Sequence, residues 1–462
     1  MKTQTSRRTF FKTLGLSAAA WPATGRATPA KKGDRPVKRN ILLYVVDDQG
    51  QGDAGCYGNP VLKTPGLDRL DETGIRFTNG FCTSASCSAS RSVILTGLYN
   101  HANGQYGHEH AYHHFRAFDD VKSLPVILGS AGYRTCSAGK FHVAPEPVFH
   151  FQQYVPARNM APSEMADACR PVIAARDERP FFLYFCTTEP HRPFPREGSD
   201  PVAPEDVIVP PYLPDIPECR EELARYYGSV QRADSGLDRL LDILEDTGHW
   251  EDTLVLYVSD NGIAFPGAKT NLYDPGVRLP CVIRNPFQKR HGGVCDAMIT
   301  WADLTPTILD FAGVDPPAPV HGRSFLSAMN EEHPRGWDEI YTSHTFHEIT
   351  MYYPMRAVQT RRYKLIWNVA HGLAYPFASD LWESETWQGA LRRNLDTFGR
   401  RSIHAYLHRP EFELYDLHAD PDEIHNLAED SAAGDVLKEL KAKIRSFQEQ
   451  TQDPWIVKWE HQ

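Results

Sequence analysis

Two pairs of oxygen-bearing side chains, Asp47-Asp48 and Asp260-Asn261, each close an apolar run, the second after Ser259. Such ligands suit a hard divalent cation, Ca²⁺ first and Mg²⁺ second, since zinc and copper prefer nitrogen or sulfur. Arg91, Lys140 and Lys269, with His142 and His191, are the cationic and imidazole groups placed around that ion. A cation ringed by further cations describes a pocket for a tetrahedral oxyanion, and the chemistry that follows is hydrolysis of a sulfate or phosphate ester. The stretch Cys87-Ser88-Ala89-Ser90-Arg91 adds a nucleophile-bearing loop entering an apolar helix that ends at Gly97. Arg91 falls one helical turn after Cys87, on the same face. Amides at a helix start favour an anion, and a cysteine beside a fixed cation there is a reactive one. Taken alone, Cys-x-x-x-Arg is better read as a buried structural cysteine before an amphipathic helix; the rest of the chain changes that balance.

The elements that must position these groups are legible. Asn40 to Val46 reads as a continuous apolar run after its first residue, as in a strand buried on both faces. Thr64 as N-cap, Pro65 and Gly74 punctuate a helix, and Ile75 to Phe81 reads as extended. Further strands are expected at Tyr133 to Ala138, Phe181 to Cys186, Leu254 to Val258 and Cys281 to Arg284. Helices are expected at Leu124 to Ala131, Glu221 to Thr247 and Leu304 to Phe311, with residues 143–179 Pro-rich and irregular. Alternating strands and helices mean an α/β fold on a large mixed, mostly parallel sheet sandwiched by helices. Ligands of such sheets bind at the carboxyl ends of the strands. Four tips carry Asp-Asp, Lys-x-His, Glu-Pro-His and Asp-Asn, and that convergence is the strongest functional signal. After about residue 335, short alternating strands (Ile340 to Ser343, Met355 to Gln359, Tyr363 to Trp367, Glu413 to Asp416) and a terminal helix predict a smaller C-terminal α+β domain on an antiparallel sheet. The expected division is 1–30 as an export signal, 38–335 as the catalytic α/β domain and 336–462 as the second domain.

Composition narrows the partners. The 462 residues are 41% hydrophobic and 23% charged, with a net charge of −10, so the chain is globular and unsuited to nucleic acid. No apolar stretch approaches the roughly 20 residues of a membrane span. Ser6-Arg7-Arg8-Thr9-Phe10-Phe11-Lys12, a mildly apolar segment and an Ala-rich end predict twin-arginine export to the periplasm or beyond. The nine cysteines form no Cys-x-x-Cys pair, and Cys87 is the one expected to be modified. Histidines 108, 110, 113 and 114 could be a metal cluster, a polar pocket wall or a solvated loop, and the run by itself is weak ground for zinc.

The chain resembles the sulfatase family of the alkaline phosphatase superfamily. The motifs that carry the resemblance are Cys87-x-Ala89-Ser90-Arg91 with Leu95-Thr96-Gly97, Asp47-Asp48, Thr64-Pro65-x-Leu67-Asp68, Gly139-Lys140-x-His142, Pro190-His191 and Ser259-Asp260-Asn261-Gly262. Within it, the branch of heparan N-sulfatases (sulfamidases) is the most similar. Asn103-Gly104-Gln105-Tyr106-Gly107-His108, Asp260 to Pro266, Thr270-Asn271-Leu272-Tyr273, His347-Glu348-Ile349-Thr350-Met351 and Asp453-Pro454-Trp455 suggest it. The resemblance implies that Cys87 becomes formylglycine, whose hydrate is bound to the metal of Asp47, Asp48, Asp260 and Asn261 and attacks sulfur. It implies that Arg91, Lys140, His142 and Lys269 hold the sulfuryl oxygens, that His191 protonates the leaving amine, and that His142 takes the proton when sulfate is expelled. His347 and Glu348, and then His108, are the expected sugar contacts, with a domain-interface hydrogen-bond set as the other explanation. The implied substrate is the N-sulfate of glucosamine at the non-reducing end of heparin or heparan sulfate fragments; an O-sulfatase on a sulfated sugar, a phosphonate or phosphodiester hydrolase, and a non-catalytic glycan binder are the competing readings. Ala89 stands where the commoner family motif has proline, which points to maturation by an anaerobic radical-type formylglycine-generating enzyme.

Overall fold

The structure is a computed structural model and describes residues 39–157, 159–194 and 201–461. The expected export signal lies outside the described residues. Nine strands make the larger sheet: β1 (Asn40–Val46), β2 (Ile75–Phe81), β3 (Arg134–Gly139), β4 (Gln153–Val155), β5 (Phe181–Cys186), β6 (Thr253–Ser259), β7 (Arg278–Leu279), β8 (Cys281–Arg284) and β9 (Gly293–Thr300). They run in the order β4-β3-β5-β1-β6-β8-β2-β7, with β9 also on β2. The pairs from β4 through β6 are all parallel, whereas β8 is antiparallel to both β6 and β2. The sheet is therefore mixed and mostly parallel, as the alternating pattern predicts.

Pleating divides the apolar run of β1 between two cores. Ile41, Leu43 and Val45 face one side with Ile94, Leu128 and Ile308 from the helices Cys87–Thr96, Leu124–Ser130 and Leu304–Ala312. Leu42, Tyr44 and Val46 face the other with Leu67, Ala166 and Leu237 from the helices Pro65–Thr73, Pro162–Ile173 and Pro217–Asp246. Helices on both faces are what a strand buried on both sides requires.

The second sheet is antiparallel, in the order β10-β11-β12-β15, from β10 (Glu339–Phe346), β11 (Tyr352–Thr360), β12 (Tyr363–Asn368) and, after the hairpin of β13 (Thr397–Phe398) and β14 (Arg401–Ser402), β15 (Phe412–Asp416). One face, with Val358, Leu365, Trp367 and Leu414, packs on Leu440 and Ile444 of the terminal helix Gly434–Thr451. Met355, Ala357, Ile366 and Tyr415 face away from it and join the core that holds Ile41.

Two local readings need correction, and one strand, β9, was not foreseen. Residues 143–179 are not irregular throughout, for they contain β4 and the helix Pro162–Ile173. Its signals are Pro162 in the first turn and a Glu164 carboxylate that accepts from the Ala161 amide at 3.0 Å. Pro171 near its end masks the pattern, and burial of Met165, Cys169, Val172 and Ile173 offsets the hydrogen bond that proline removes. The long helix begins at Pro217 rather than Glu221. β9 carries no strong alternation and is a strand because it pairs along β2.

Candidate active site

Strand register assembles the floor of the site. β1 and β6 are adjacent and parallel, with Val46 opposite Ser259, so the next residues of each, Asp47-Asp48 and Asp260-Asn261, emerge side by side. On the other flank Cys186 pairs with Val45 and with Gly139, which brings Lys140 to the same edge. The Lys140 amide donates to the Cys186 carbonyl at 2.9 Å, and the Asp47 amide to the Glu189 carbonyl at 3.1 Å. Asp48, His142 and Thr270 take positive φ values of 70°, 54° and 69°. Left-handed backbone in non-glycine residues is held there by its surroundings and clusters at functional sites.

The side chains interlock at these tips. Asn261 Nδ2 donates to Asp48 Oδ1 at 2.6 Å, and the amides of Asp48 and Asn261 both donate to Asp260 Oδ1, at 3.1 and 2.8 Å. Arg91 Nε donates to Asp260 Oδ2 at 2.8 Å, and Arg91 also lies 3.6 Å from Asp47 Oδ1. Lys140 Nζ donates to Asp47 Oδ2 at 2.5 Å, and Lys269 Nζ to Asp48 Oδ2 at 2.8 Å. All of these groups except Lys140 are essentially removed from solvent. Asp47 Oδ1 and Asn261 Oδ1 are buried oxygens that accept no hydrogen bond. Unpartnered buried acceptors beside carboxylates fit a cation, because leaving them bare costs about 1–3 kcal/mol each. Ligand atoms of Asp47, Cys87 and Asp260 lie within 4.8 Å of one another.

Cys87 opens the helix Cys87–Thr96, all of whose residues are buried, and its Sγ lies 3.6 Å from Asp48 Oδ1. The sequence reads this cysteine, one helical turn before Arg91, as a reactive one. Burial pushes the Cys87 thiol well above its ordinary value, more than Lys140 and Lys269 pull it down. Arg91, whose charge motivated the expectation, is committed to Asp260. Burial also acts on Asp47, yet Lys140, His191 and Arg91 hold its carboxyl below the usual range. Lys269 resists desolvation because Asp380 and Asp48 keep it charged. Burial and then Lys140 push His142 far down, so it is a neutral base.

Above this floor is a cavity of about 740 Å³ whose lining includes Asp47, Lys140, His142, His191, His108, His347 and Glu348. His191 Nδ1 faces the Arg192 carbonyl, which leaves Nε2 toward the site, 3.7 Å from Asp48 Oδ2. His347 Nδ1 lies 2.9 Å from Ser86 Oγ, and its Nε2 lies 2.9 Å from His108 Nε2. Glu348 accepts from the Ser379 amide at 2.9 Å and from the Ser379 hydroxyl. The histidine run is thus a pocket wall: His108, His110 and His113 line the cavity, whereas His114 is exposed.

Every residue expected at the site from sequence is at or beneath this one cavity. Sequence reasoning missed Asp380, which lines the cavity and accepts from Lys269 Nζ at 2.9 Å. It also missed Ser86 as the partner of His347 and His110 as that of His142, at 2.8 Å. Asp380 is a lone acid far along the chain and carries no signal of its own.

Comparison with known proteins gives the following. The sulfatase family profile matches residues 39–314, and that of the C-terminal part of N-sulphoglucosamine sulphohydrolase matches residues 268–380. The chain is 37% identical to N-sulphoglucosamine sulphohydrolase of Homo sapiens over 461 aligned residues, covering 90% of this chain and 91% of that one. Its fold is similar to a solved structure in complex with its substrate D-glucosamine-2-N,6-O-disulfate (TM-score 0.69, 21% identity, 90% of this chain and 99% of that chain). It is equally similar to phosphonate monoester hydrolase of Agrobacterium radiobacter (TM-score 0.69, 19% identity, 89% and 96%).

Proposed function

The chain belongs to the sulfatase family, and from that premise we propose that it hydrolyses the N-sulfate of glucosamine at the non-reducing end of heparin or heparan sulfate fragments. The reaction converts R–NH–SO₃⁻ and water to R–NH₃⁺ and SO₄²⁻. The observation that carries this reading is that the segment similar to the C-terminal part of N-sulphoglucosamine sulphohydrolase, residues 268–380, contains Lys269, His347, Glu348 and Asp380. His347, Glu348 and Asp380 line the cavity from outside the strand tips, and Lys269 donates to Asp380 from beneath it.

In this reading Asp47, Asp48, Asp260 and Asn261 hold a divalent cation, Ca²⁺ before Mg²⁺, because they offer only oxygen and two of those oxygens, Asp47 Oδ1 and Asn261 Oδ1, accept no hydrogen bond. When bound, that cation stabilises negative charge developing on the sulfuryl oxygens. Cys87 carries formylglycine, whose hydrate supplies a nucleophile that can release sulfate by returning to the aldehyde, a step no thiol can take. Lys140, Lys269, Arg91 and His142 orient the sulfuryl group by hydrogen bonds and charge. His142 takes the proton as sulfate leaves, against the burial and the Lys140 charge that disfavour its protonated form. His191, with Nδ1 tied to the Arg192 carbonyl, presents Nε2–H to the departing amine nitrogen. His347, Glu348 and His108 contact the sugar.

Radical-type maturation is supported by Ala89, and twin-arginine export to the periplasm by Arg7-Arg8. Among the described residues no helix is long and apolar enough to cross a membrane.

The test is sulfate release from N-sulfoglucosamine beside 6-O-sulfated N-acetylglucosamine, with Ca²⁺ and protein shown by mass to carry formylglycine, about 18 Da lighter than cysteine. Release from the first alone is expected. Release from the second alone makes the enzyme an O-sulfatase, and release from neither moves the reading to phosphonates and phosphodiesters.

A further inference from the structure

The cavity wall carries three clustered histidines, of which the sulfatase reading uses His142 and His108 but gives His110 no part. His110 Nδ1 lies 2.8 Å from His142 Nε2, two imidazoles with no carboxylate between them. The His108 ring centroid lies 4.8 Å from that of His110 and 4.9 Å from that of His142. One nitrogen from each of the three can be chosen so that all lie within 4.8 Å of one another. Four-coordinate zinc holds nitrogens at about 2.0–2.1 Å, hence about 3.3–3.4 Å apart, a spacing bracketed by these separations.

The second observation is a set of bare lone pairs. His108 Nδ1 and His142 Nδ1 are buried without a hydrogen-bond partner. His108 is oriented from behind, since its Nε2 meets His347 Nε2 and His347 Nδ1 meets Ser86 Oγ. In the tautomer with His108 Nε2–H donating to His347, and His347 Nδ1–H donating to Ser86, Nδ1 of His108 has a free lone pair. A ligating imidazole whose other nitrogen donates to an outer partner is the usual arrangement around metals. His113 is not a fourth member, because its Nδ1 already accepts from the Ile349 amide at 3.1 Å.

We propose that His108, His110 and His142 form a second metal site on the wall of the substrate cavity, selective for a borderline transition ion of the Zn²⁺ class. Its three imidazole donors exclude Ca²⁺, just as the all-oxygen donors at the strand tips disfavour zinc. The ion's remaining position faces the cavity and takes water. Occupation removes His142 from the reaction, so zinc inhibits; that consequence rests on the sulfatase reading, whereas the binding does not.

The experiment titrates the calcium-loaded full chain with Zn²⁺ by calorimetry and with Co²⁺ by visible absorption. Wild type, His110→Ala and Cys87→Ser are compared. Wild type and Cys87→Ser are expected to bind one ion, and His110→Ala to bind it more than about tenfold more weakly. Because His110 is exposed, its removal should leave the metal-free melting temperature in place. Absence of saturable binding in wild type, binding that survives in His110→Ala, or binding lost in Cys87→Ser overturns the proposal; the last would put the ion at the nucleophile. Sulfate release measured in parallel should fall with Zn²⁺ in wild type and be spared in His110→Ala. Should no variant release sulfate at all, the functional reading fails while the binding result stands on its own.

Discussion

Cys87 has Lys140 and Lys269 among its nearest charges, yet burial keeps its thiol protonated. That environment suits the neutral aldehyde hydrate proposed for this position. In the proposed reaction His191 supplies the complementary proton. Sulfamate nitrogen is a poor leaving group unless protonated, so His191→Asn should lower turnover of N-sulfoglucosamine by about 100- to 1,000-fold. The same variant should lose less than about tenfold on 4-nitrophenyl sulfate, whose phenolate departs without a proton. Equal losses on the two substrates would mean that His191 binds the sulfuryl group instead of protonating the amine.

At the scale of elements, strand tips are held by close backbone approaches. Gly139 ends β3 with φ at 81°, and a Cβ there would stand 1.9 Å from the Cys186 carbonyl oxygen. Gly139→Ala must therefore push β3 away from β5 and carry Lys140 with it, away from Asp47. We expect sulfate release to fall at least about 100-fold, since small misplacements of positioning groups cost that much. The melting temperature should fall by only a few degrees. An unchanged turnover would show that the tip repacks without moving Lys140.

Across the whole molecule, buried neutral histidines set the response to acid. His101 and His344 are buried with both ring nitrogens unpartnered, and burial brings each down to about 3. The unfolded chain binds these protons near pH 6.5 and the folded chain does not. Their effect is absent above pH 6.5, and stability is lost progressively as pH falls from there toward 3. The slope is at most about 1.4 kcal/mol per pH unit for each histidine. Urea midpoints should drop steeply between pH 6 and pH 4, and His344→Leu should reduce proton uptake on unfolding by about one. A slope unchanged by His344→Leu would show that this ring is protonated in the folded state.

The strands and their tips were legible because both signals are local. A short apolar run such as Ile41 to Val46, bounded by polar residues, is of strand length, and the polar residues that end it then lie at the sheet's carboxyl edge. Asp47, Asp48, Asp260, Lys140 and His191 could therefore be named before the fold was seen, and the family motif around Cys87 gave them one purpose. The helix Pro162–Ile173 was hidden by its prolines, whose local cost is outweighed by burial that depends on the partner helix. What only the tertiary structure decided is the meeting of groups from unrelated elements: Asp380 on Lys269, His347 on His108, and His110 on His142. Each meeting depends on the path of the chain between elements, and those of Asp380 and His347 on how the second sheet returns to the first. Those are long-range properties, and neither residue type nor spacing encodes them.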